Sequence, residues 1–283
     1  MMIDTLKPDY AIRFLCEILD CSPSSYYYRP IAKHEDEALL EAIESLLAER
    51  PYLGYRMMRA RLKQRGIVAG ERAIRRILSQ MGRTRSVGSV IKTTDSNHAH
   101  SRYPNLIRNI DPDYPDQIWV ADITYIRYGH QFVFLAVILD AFTRAVRGWH
   151  LEEFLTSNEL TEPALKMALT HNSPTYFHSD QGKQYAATSH VNLLKKHQTL
   201  ISMSDAGCPT QNGIVERFMR TLKEEHVAYS EYDSFKSMRQ QMKLFLEVEY
   251  NQNRPHSSLG YLTPAEFEAK YHLQKEPLGV QSA

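Results

Sequence analysis

Three acids far apart in the chain are placed to do chemistry together. Asp122 stands inside the apolar run "WVADITY", Asp180 closes the run "YFHSD", and Glu216 interrupts the apolar stripe of "QNGIVERFMRTLKEE". A carboxylate in a strand that ought to be buried costs several kcal/mol unless it is paired or bound to a cation. Taken singly, each aspartate also reads as an ion-pair partner, and Asp180 before Gln-Gly reads as a turn cap. The helix carrying Glu216 favours a joint role. At about 100° per residue, with Asn212 at 0°, Glu216 falls near 40° and Lys223 near 20°. Ile214, Val215, Phe218, Met219 and Leu222 spread from about 200° to 340°, leaving a narrow strip of amide, carboxylate and ammonium. Three convergent carboxylates repel one another, and divalent cations remove that penalty. Hard oxygen ligands suit Mg²⁺, with Mn²⁺ able to substitute. Two such ions about 4 Å apart stabilise the attacking and the leaving oxygen of an in-line phosphoryl displacement.

The elements that must position these acids follow from periodicity. From Gln117 onward, "IWVADITYIR", "QFVFLAVILDAFT" and "AVRGWHLEE" are strand-like, with "YGH" as the first turn. A helix over 157–171, a strand at "TYFHSD", a helix over 189–197, a strand at "LISMS" and the Glu216 helix come next. Three strands, then helix, strand, helix, strand, helix predict an α/β fold: a mixed sheet of RNase H-like order flanked by helices. Trp119 and Trp149 are expected in its core. No His-x-x-x-His pair supports zinc, and His178 is only a neighbour of the site.

The first third is all-α in pattern. "YAIRFLCEILD" spaces Ile12, Leu15, Ile18 and Leu19 helically, and "HEDEALLEAIESLLAER" stripes Leu39, Leu40, Ile43, Leu46 and Leu47. "GYRMMRARLKQRG" and "GERAIRRILSQMG", joined by "GIVAG", suit a helix-turn-helix. In the second of these Ile74, Ile77, Leu78 and Met81 would pack inward. Arg72, Arg75 and Arg76 would face phosphates and base edges, joined by Arg56 and Arg59 from the first helix. The overall charge of +1 over 283 residues hides an asymmetry. Between Arg50 and Arg108 stand 14 Lys/Arg against Glu71 and Asp95, or +12, leaving −11 for the remainder. Such a block is a footprint for a polyanion, with nucleic acid first to consider. Residues 83–115 read as a basic linker able to lie along a DNA backbone. Cys16, Cys21 and Cys208 form no Cys-x-x-Cys pair and are expected as reduced thiols. No apolar run is long enough for a membrane span and no secretory signal opens the chain, so a cytoplasmic, nucleoid-associated protein is expected.

"WVADITYI", "HSDQGKQY", "QNGIVERFMRTLKEE" and "YNQNRPHSSLGYLTPAEF" stand in the order of the blocks of the DDE transposases of bacterial insertion sequences. Asp180 and Glu216 have 35 residues between them, and Lys223 follows Glu216 by seven. The chain most resembles the downstream-frame product of insertion sequence family three, whose transposase is split over two reading frames. The resemblance implies an integrase catalytic core with Asp122, Asp180 and Glu216 as catalytic residues and ligands of two Mg²⁺ ions. It also implies that Asn212 supports the glutamate's helix or contacts DNA, and that Lys223 and Arg220 contact DNA near the cleavage point. The domains expected are an N-terminal helical segment (1–30), a helix-turn-helix-like DNA-binding region (31–82), the linker (83–115) and the catalytic core with a helical tail (116–283). That tail would buttress the catalytic helix, with Arg254 as a phosphate contact. The function implied is metal-dependent cleavage of double-stranded DNA at element ends and strand transfer into target DNA by a homo-multimer on paired ends. Two alternatives stand beside it: a catalytically silent DNA-binding or assembly subunit, and a metal nuclease that joins no strands. No heptad repeat is visible, so an upstream-frame partner or fusion is an expected participant.

Overall fold

The computed structural model of the chain describes residues 2–27, 35–82, 103–205 and 208–275. Short helices α1 (Met2–Leu6), α2 (Ile12–Ile18) and α3 (Pro23–Tyr27) precede α4 (Glu35–Glu49), α5 (Tyr55–Gln64) and α6 (Glu71–Gln80). The last three enclose one core, in which Ile43, Leu46, Met58, Leu62 and Ile74 are almost wholly shielded from water. The expected stripe of α2 is only half buried: Leu15 and Cys16 pack with Ile3, whereas Ile18 is 64% and Leu19 39% exposed. A helix of seven residues has too little length to bury a full face.

The second half is built on β1 (Ile118–Tyr128), β2 (Gln131–Asp140), β3 (Val146–Glu152), β4 (Tyr176–Ser179) and β5 (Leu200–Met203). Their order in the sheet is β3-β2-β1-β4-β5. β1 pairs antiparallel with β2 and parallel with β4, β2 pairs antiparallel with β3, and β4 parallel with β5. This is the mixed sheet of RNase H-like order expected from the sequence. Gly129, at φ +58°, turns β1 into β2 in a conformation that costs glycine little. Helices α7 (Glu162–Ala168) and α8 (Thr188–Lys196) cover one face; α9 (Gly213–Glu225) and α10 (Phe235–Lys243) cover the other. Strand alternation explains the division. Val120 and Ile126 of β1 join Val137 and Leu139 of β2 beneath α9, while Trp119, Ala121, Ala136 and Ile138 turn toward α7 and α8. Gly148 lets α7 lie against β3, because a Cβ there would stand 2.3 Å from the Ala164 carbonyl oxygen.

The single helix expected over 157–171 is instead a π-type turn, Ser157–Thr161, followed by α7, which ends at Ala168. Pro163 in the first turn of α7 has no N–H to continue the upstream winding, so the helix restarts there. After α10 the chain continues as a π-wound segment, Leu244–Asn253, and ends its described part in α11 (Pro264–Lys275). Asn251 of that segment ties to edge strand β3 through both amide groups, accepting from Val146 N at 2.9 Å and donating to Val146 O at 3.1 Å.

Of the expected linker, residues 83–102 lie outside the described residues. Residues 103–115 are laid on the core rather than held out toward solvent. Pro104 O accepts from Met203 N beside the β5 edge, Leu106 N donates to Ser202 Oγ, and Ile107 and Ile110 join the core under α9. Arg108 pairs with Asp205. The apolar side chains and the open β5 edge explain why this stretch docks despite its basic character. The N-terminal helices are tethered likewise. Glu249, in the π-wound segment, accepts from Arg50 Nε at 3.0 Å and Nη2 at 2.9 Å, and also pairs with the buried Arg61. With Arg65 on Glu49, several cations of the basic block are therefore committed to protein acids.

Candidate active site

Asp122 falls in the middle of β1, opposite Val137, in the row that faces α9. One of its oxygens accepts from Ile123 N at 2.8 Å. Burial, followed by repulsion from Asp180 and Glu216, pushes its carboxyl up to about 7, against the opposing pull of the Ile123 N–H and Lys223. Asp180 leaves the end of β4, the strand parallel to β1, and its Oδ1 accepts from Gly182 N at 3.0 Å. The turn-cap reading of Asp180 and its place beside Asp122 thus hold together. A Cβ at residue 182 would stand 2.8 Å from that same oxygen, which is why glycine follows here.

Glu216 sits in the first turn of α9, on its exposed edge, while Val215, Phe218, Met219 and Leu222 are buried as the stripe requires. Burial raises the Glu216 carboxyl above its usual range and Arg220, one turn on, opposes the rise. The three carboxylates are within electrostatic reach through Asp122, yet they are not drawn into a closed cage. Among the described residues, no three His, Cys, Asp or Glu side chains stand at ligation distance of one point. Glu216 is the member with the longer side chain, at the exposed rim. The donor set is oxygen only and partly desolvated, which fits a hard divalent cation and does not fit a soft one.

Asn212, at the entry to α9, is buried and donates to Ala121 O at 3.0 Å, one residue before Asp122. It fixes α9 to β1; of the two roles expected, support is the one built here, since a side chain 4% exposed does not meet DNA. Lys223 lies two turns beyond Glu216 with its ammonium 4.7 Å from the Tyr125 ring centroid. Burial lowers it below the usual lysine range while Asp122 pulls the other way. Arg220 is exposed on the same helix.

Tyr185 escaped the sequence reading. It is buried between the sheet and α8, and its hydroxyl has no hydrogen-bond partner among the described residues. Burial, then the charges of Asp122 and Asp180, hold its phenol well above the usual range. Only its five-residue distance from Asp180 hinted at this, and spacing of that kind singles out nothing. His178 is fully buried, bonded to Ser202 at 2.8 Å and Ser204 at 3.0 Å, and burial depresses it to about 4. It braces β4 against β5 as a neutral ring.

Arg254 corrects an expectation. Its guanidinium is buried and makes two 2.7 Å bonds to Glu225 at the end of α9, so it is no phosphate contact. An arginine with a bidentate carboxylate in low dielectric is held where it stands. The tail's expected role as buttress is served by this clamp. In the N-terminal unit, Arg72, Arg76, Arg56 and Arg59 point outward as expected. Arg75, also outward, is partly committed: it pairs with Glu71 at 2.8 Å and lies 3.9 Å over the Tyr55 ring.

The chain matches the Integrase core domain family over residues 112–209 and again over 197–264, and the HTH-like domain family over 33–85. It is 32% identical over 269 residues to the insertion element IS600 uncharacterized 31 kDa protein of Shigella sonnei, covering 91% of this chain and 98% of that one. It is 28% identical over 288 residues to the transposase InsF for insertion sequence IS3A of Escherichia coli (strain K12), covering 95% and 98%. A solved simian T-cell lymphotropic virus intasome chain is 20% identical with a TM-score of 0.48, over 80% of this chain and 74% of that one. With the sheet order, the acids on adjacent parallel strands and a relative 32% identical from end to end, the chain belongs to the IS3-family insertion-sequence transposases, with an integrase core and an HTH-like domain.

Proposed function

We propose that the chain cleaves DNA at the ends of its element and transfers the freed strand end, with Asp122, Asp180 and Glu216 as the catalytic carboxylates. The observation that carries this reading is Asp122: an acid in the core-facing row of the central strand, repelled by two other acids and paired with no cation-bearing side chain at ion-pair distance among the described residues. Such an arrangement is costly unless the carboxyl takes up a proton or a bound cation supplies the positive charge, and arrangements of this kind cluster at functional sites. Asp122, Asp180 and Glu216 would hold two Mg²⁺ ions, or Mn²⁺ in their place, with Glu216 swinging in from its exposed edge. The ions would supply Lewis-acid stabilisation of the charge that builds on the phosphoryl group.

The chain's own residues do the rest. Asn212 holds the glutamate's helix to β1, and Gly182 lets the Asp180 loop turn back on its own carboxylate. Lys223, steadied by Tyr125, offers its ammonium to a phosphate beside the reacting bond. Hydrolysis forms a bond from water oxygen to phosphorus and breaks the bond to the 3′-oxygen, which leaves as a 3′-hydroxyl after taking a proton. That hydroxyl then attacks a second phosphodiester and the target 3′-oxygen departs, so no covalent enzyme–DNA link is needed. The outward arginines of α5 and α6 hold the element end by its phosphates and base edges. Joint processing of two ends calls for a homo-multimer, and an upstream-frame partner remains part of the reading.

The test uses end DNA with Mg²⁺ or Mn²⁺ and a readout separating nicked from joined products. Glu216→Gln is expected to abolish both products while DNA binding persists; a variant that still cuts overturns the assignment. Lys223→Met is expected to weaken end-DNA binding by about fivefold, equivalent to about 1 kcal/mol.

A further inference from the structure

Along the flank of α9 turned away from Asp122, a cavity of about 740 Å³ lies between the N-terminal helices and the core. Its walls carry five arginines (Arg56, Arg75, Arg144, Arg217 and Arg254) against one acid, Glu225. That acid is already engaged by Arg254, and Arg75 by Glu71. Arg144 and Arg217 are different: among the described residues neither guanidinium makes an ion pair or a hydrogen bond. Arg144 is partly buried, and burial lowers its affinity for its own proton against the weaker opposing pull of Tyr250, Asp140 and Asp111. The surplus is felt by His256 on the same wall, which burial first, then Arg254, Arg144 and Arg217, depress to about 4. Gly213 and Ile214 bring the N-terminal end of the 13-residue α9 to the same space, adding its partial positive charge.

The aromatic content is equally uneven. Tyr52, Tyr55, Tyr250 and Tyr261 line the cavity, and Tyr261 is exposed. Arg144 and Tyr261 both hold positive φ, at 64° and 66°, although neither is glycine. Such backbone costs on the order of 1–3 kcal/mol and persists where the surroundings fix it. Cations that follow a backbone, interleaved with rings on which bases stack, are the equipment of a single-strand groove. The volume falls in the range of small-ligand pockets and admits a few nucleotides of one strand, not a duplex.

We propose that this groove holds a single strand of nucleic acid, with Arg144 and Arg217 on its phosphates and Tyr261 against a base. The inference rests on the reading of the chain as a DNA-processing enzyme and adds a second strand path, about one helix width (roughly 10 Å) from the triad across α9. A strand parted from its duplex beside the reacting phosphate would thereby be kept from re-pairing.

The experiment measures binding of a short fluorescein-labelled oligothymidylate to the full chain by anisotropy, in EDTA, over a salt series. Working without metal separates it from the triad: failure of the Glu216 assignment shows in cleavage products, failure of the groove shows here. Arg144→Gly removes the guanidinium while glycine keeps the positive φ, and Arg217→Gln acts on an exposed helical face. Each is expected to weaken single-strand binding by about fivefold or more. The double variant should flatten the slope of log affinity against log salt by about 1.4, at about 0.7 per phosphate contact. Binding to blunt duplex should fall much less. Unchanged affinity and slope in variants that melt like the parent overturn the proposal. An equal loss on duplex and single strand also overturns it, because that would mark general surface charge.

Discussion

Asp122 and Asp140 stand on adjacent antiparallel strands of one sheet, and their surroundings are opposite. Asp140, fully buried at the end of β2, accepts from Phe142 N at 2.7 Å and Thr143 N at 2.8 Å and lies 3.3 Å from Arg147. Arg147 also reaches Asp116 at 2.8 Å and Glu268 of α11 at 2.7 Å, while Trp119 donates to Asp116. Burial raises Asp140, and Arg147 and the backbone N–H groups pull it back. Asp122 has one backbone donor and two acidic neighbours. Both are aspartates in apolar runs; one is satisfied by protein donors, and the other meets two acids with a single backbone donor. The satisfied end of the sheet is architecture, locking α11 against β3. The unsatisfied end is where function is proposed.

The contrast predicts opposite outcomes for stability and activity. Asp122→Asn is expected to lower strand cleavage by at least about 10³-fold, the several kcal/mol that metal-held charge stabilisation contributes, while the melting temperature holds or rises. A loss of both, seen by calorimetry alongside the cleavage assay, would erase the distinction. Arg147→Ala should do the reverse. It leaves Asp116 and Asp140 buried without their cation, for a loss of about 3–5 kcal/mol in urea unfolding, with cleavage per folded molecule little changed.

Acid should sharpen the same comparison. His178 and His190 are buried neutral, each depressed to about 4 by burial. The unfolded chain takes up their protons first, near pH 6.5. Stability is therefore full above about pH 6.5, falls as pH drops toward 4, and is expected to lose on the order of 3 kcal/mol per ring. Unfolding free energies flat between pH 7 and 4.5 would contradict this. Glu249 offers a third acid, outside both ends of the sheet, that holds Arg50 and Arg61. Glu249→Gln should cost about 2 kcal/mol of docking and free the N-terminal helices for proteolysis ahead of the core. Cleavage of both parts at one rate would remove the tether from the account.

Much of this was legible because it is local. Period-two alternation marked β1 to β3, the 3.6 period marked α4, α5, α6 and α9, and the polar strip on α9 set Glu216 and Lys223 on one edge. The restart of the 157–171 helix near Pro163 is local in origin too, because proline has no N–H to continue the upstream winding. What could not be read were partnerships across long separations. Nothing near Arg254 announces Glu225, nothing near Arg61 announces Glu249, and the basic stretch ending at Arg108 gives no sign that Pro104 and Leu106 bond to β5.

The sequence by itself determined which residues bear charge, which faces of each element are apolar, and hence the order and type of the elements, since these follow from side chains a few positions apart. Only the tertiary structure decided which of those charges are neutralised. Whether a carboxylate meets a guanidinium or another carboxylate depends on chain segments tens to hundreds of residues away. That is the difference between Asp140, pulled back by Arg147 and backbone N–H groups, and Asp122, pushed up to about 7 by burial and two neighbouring acids.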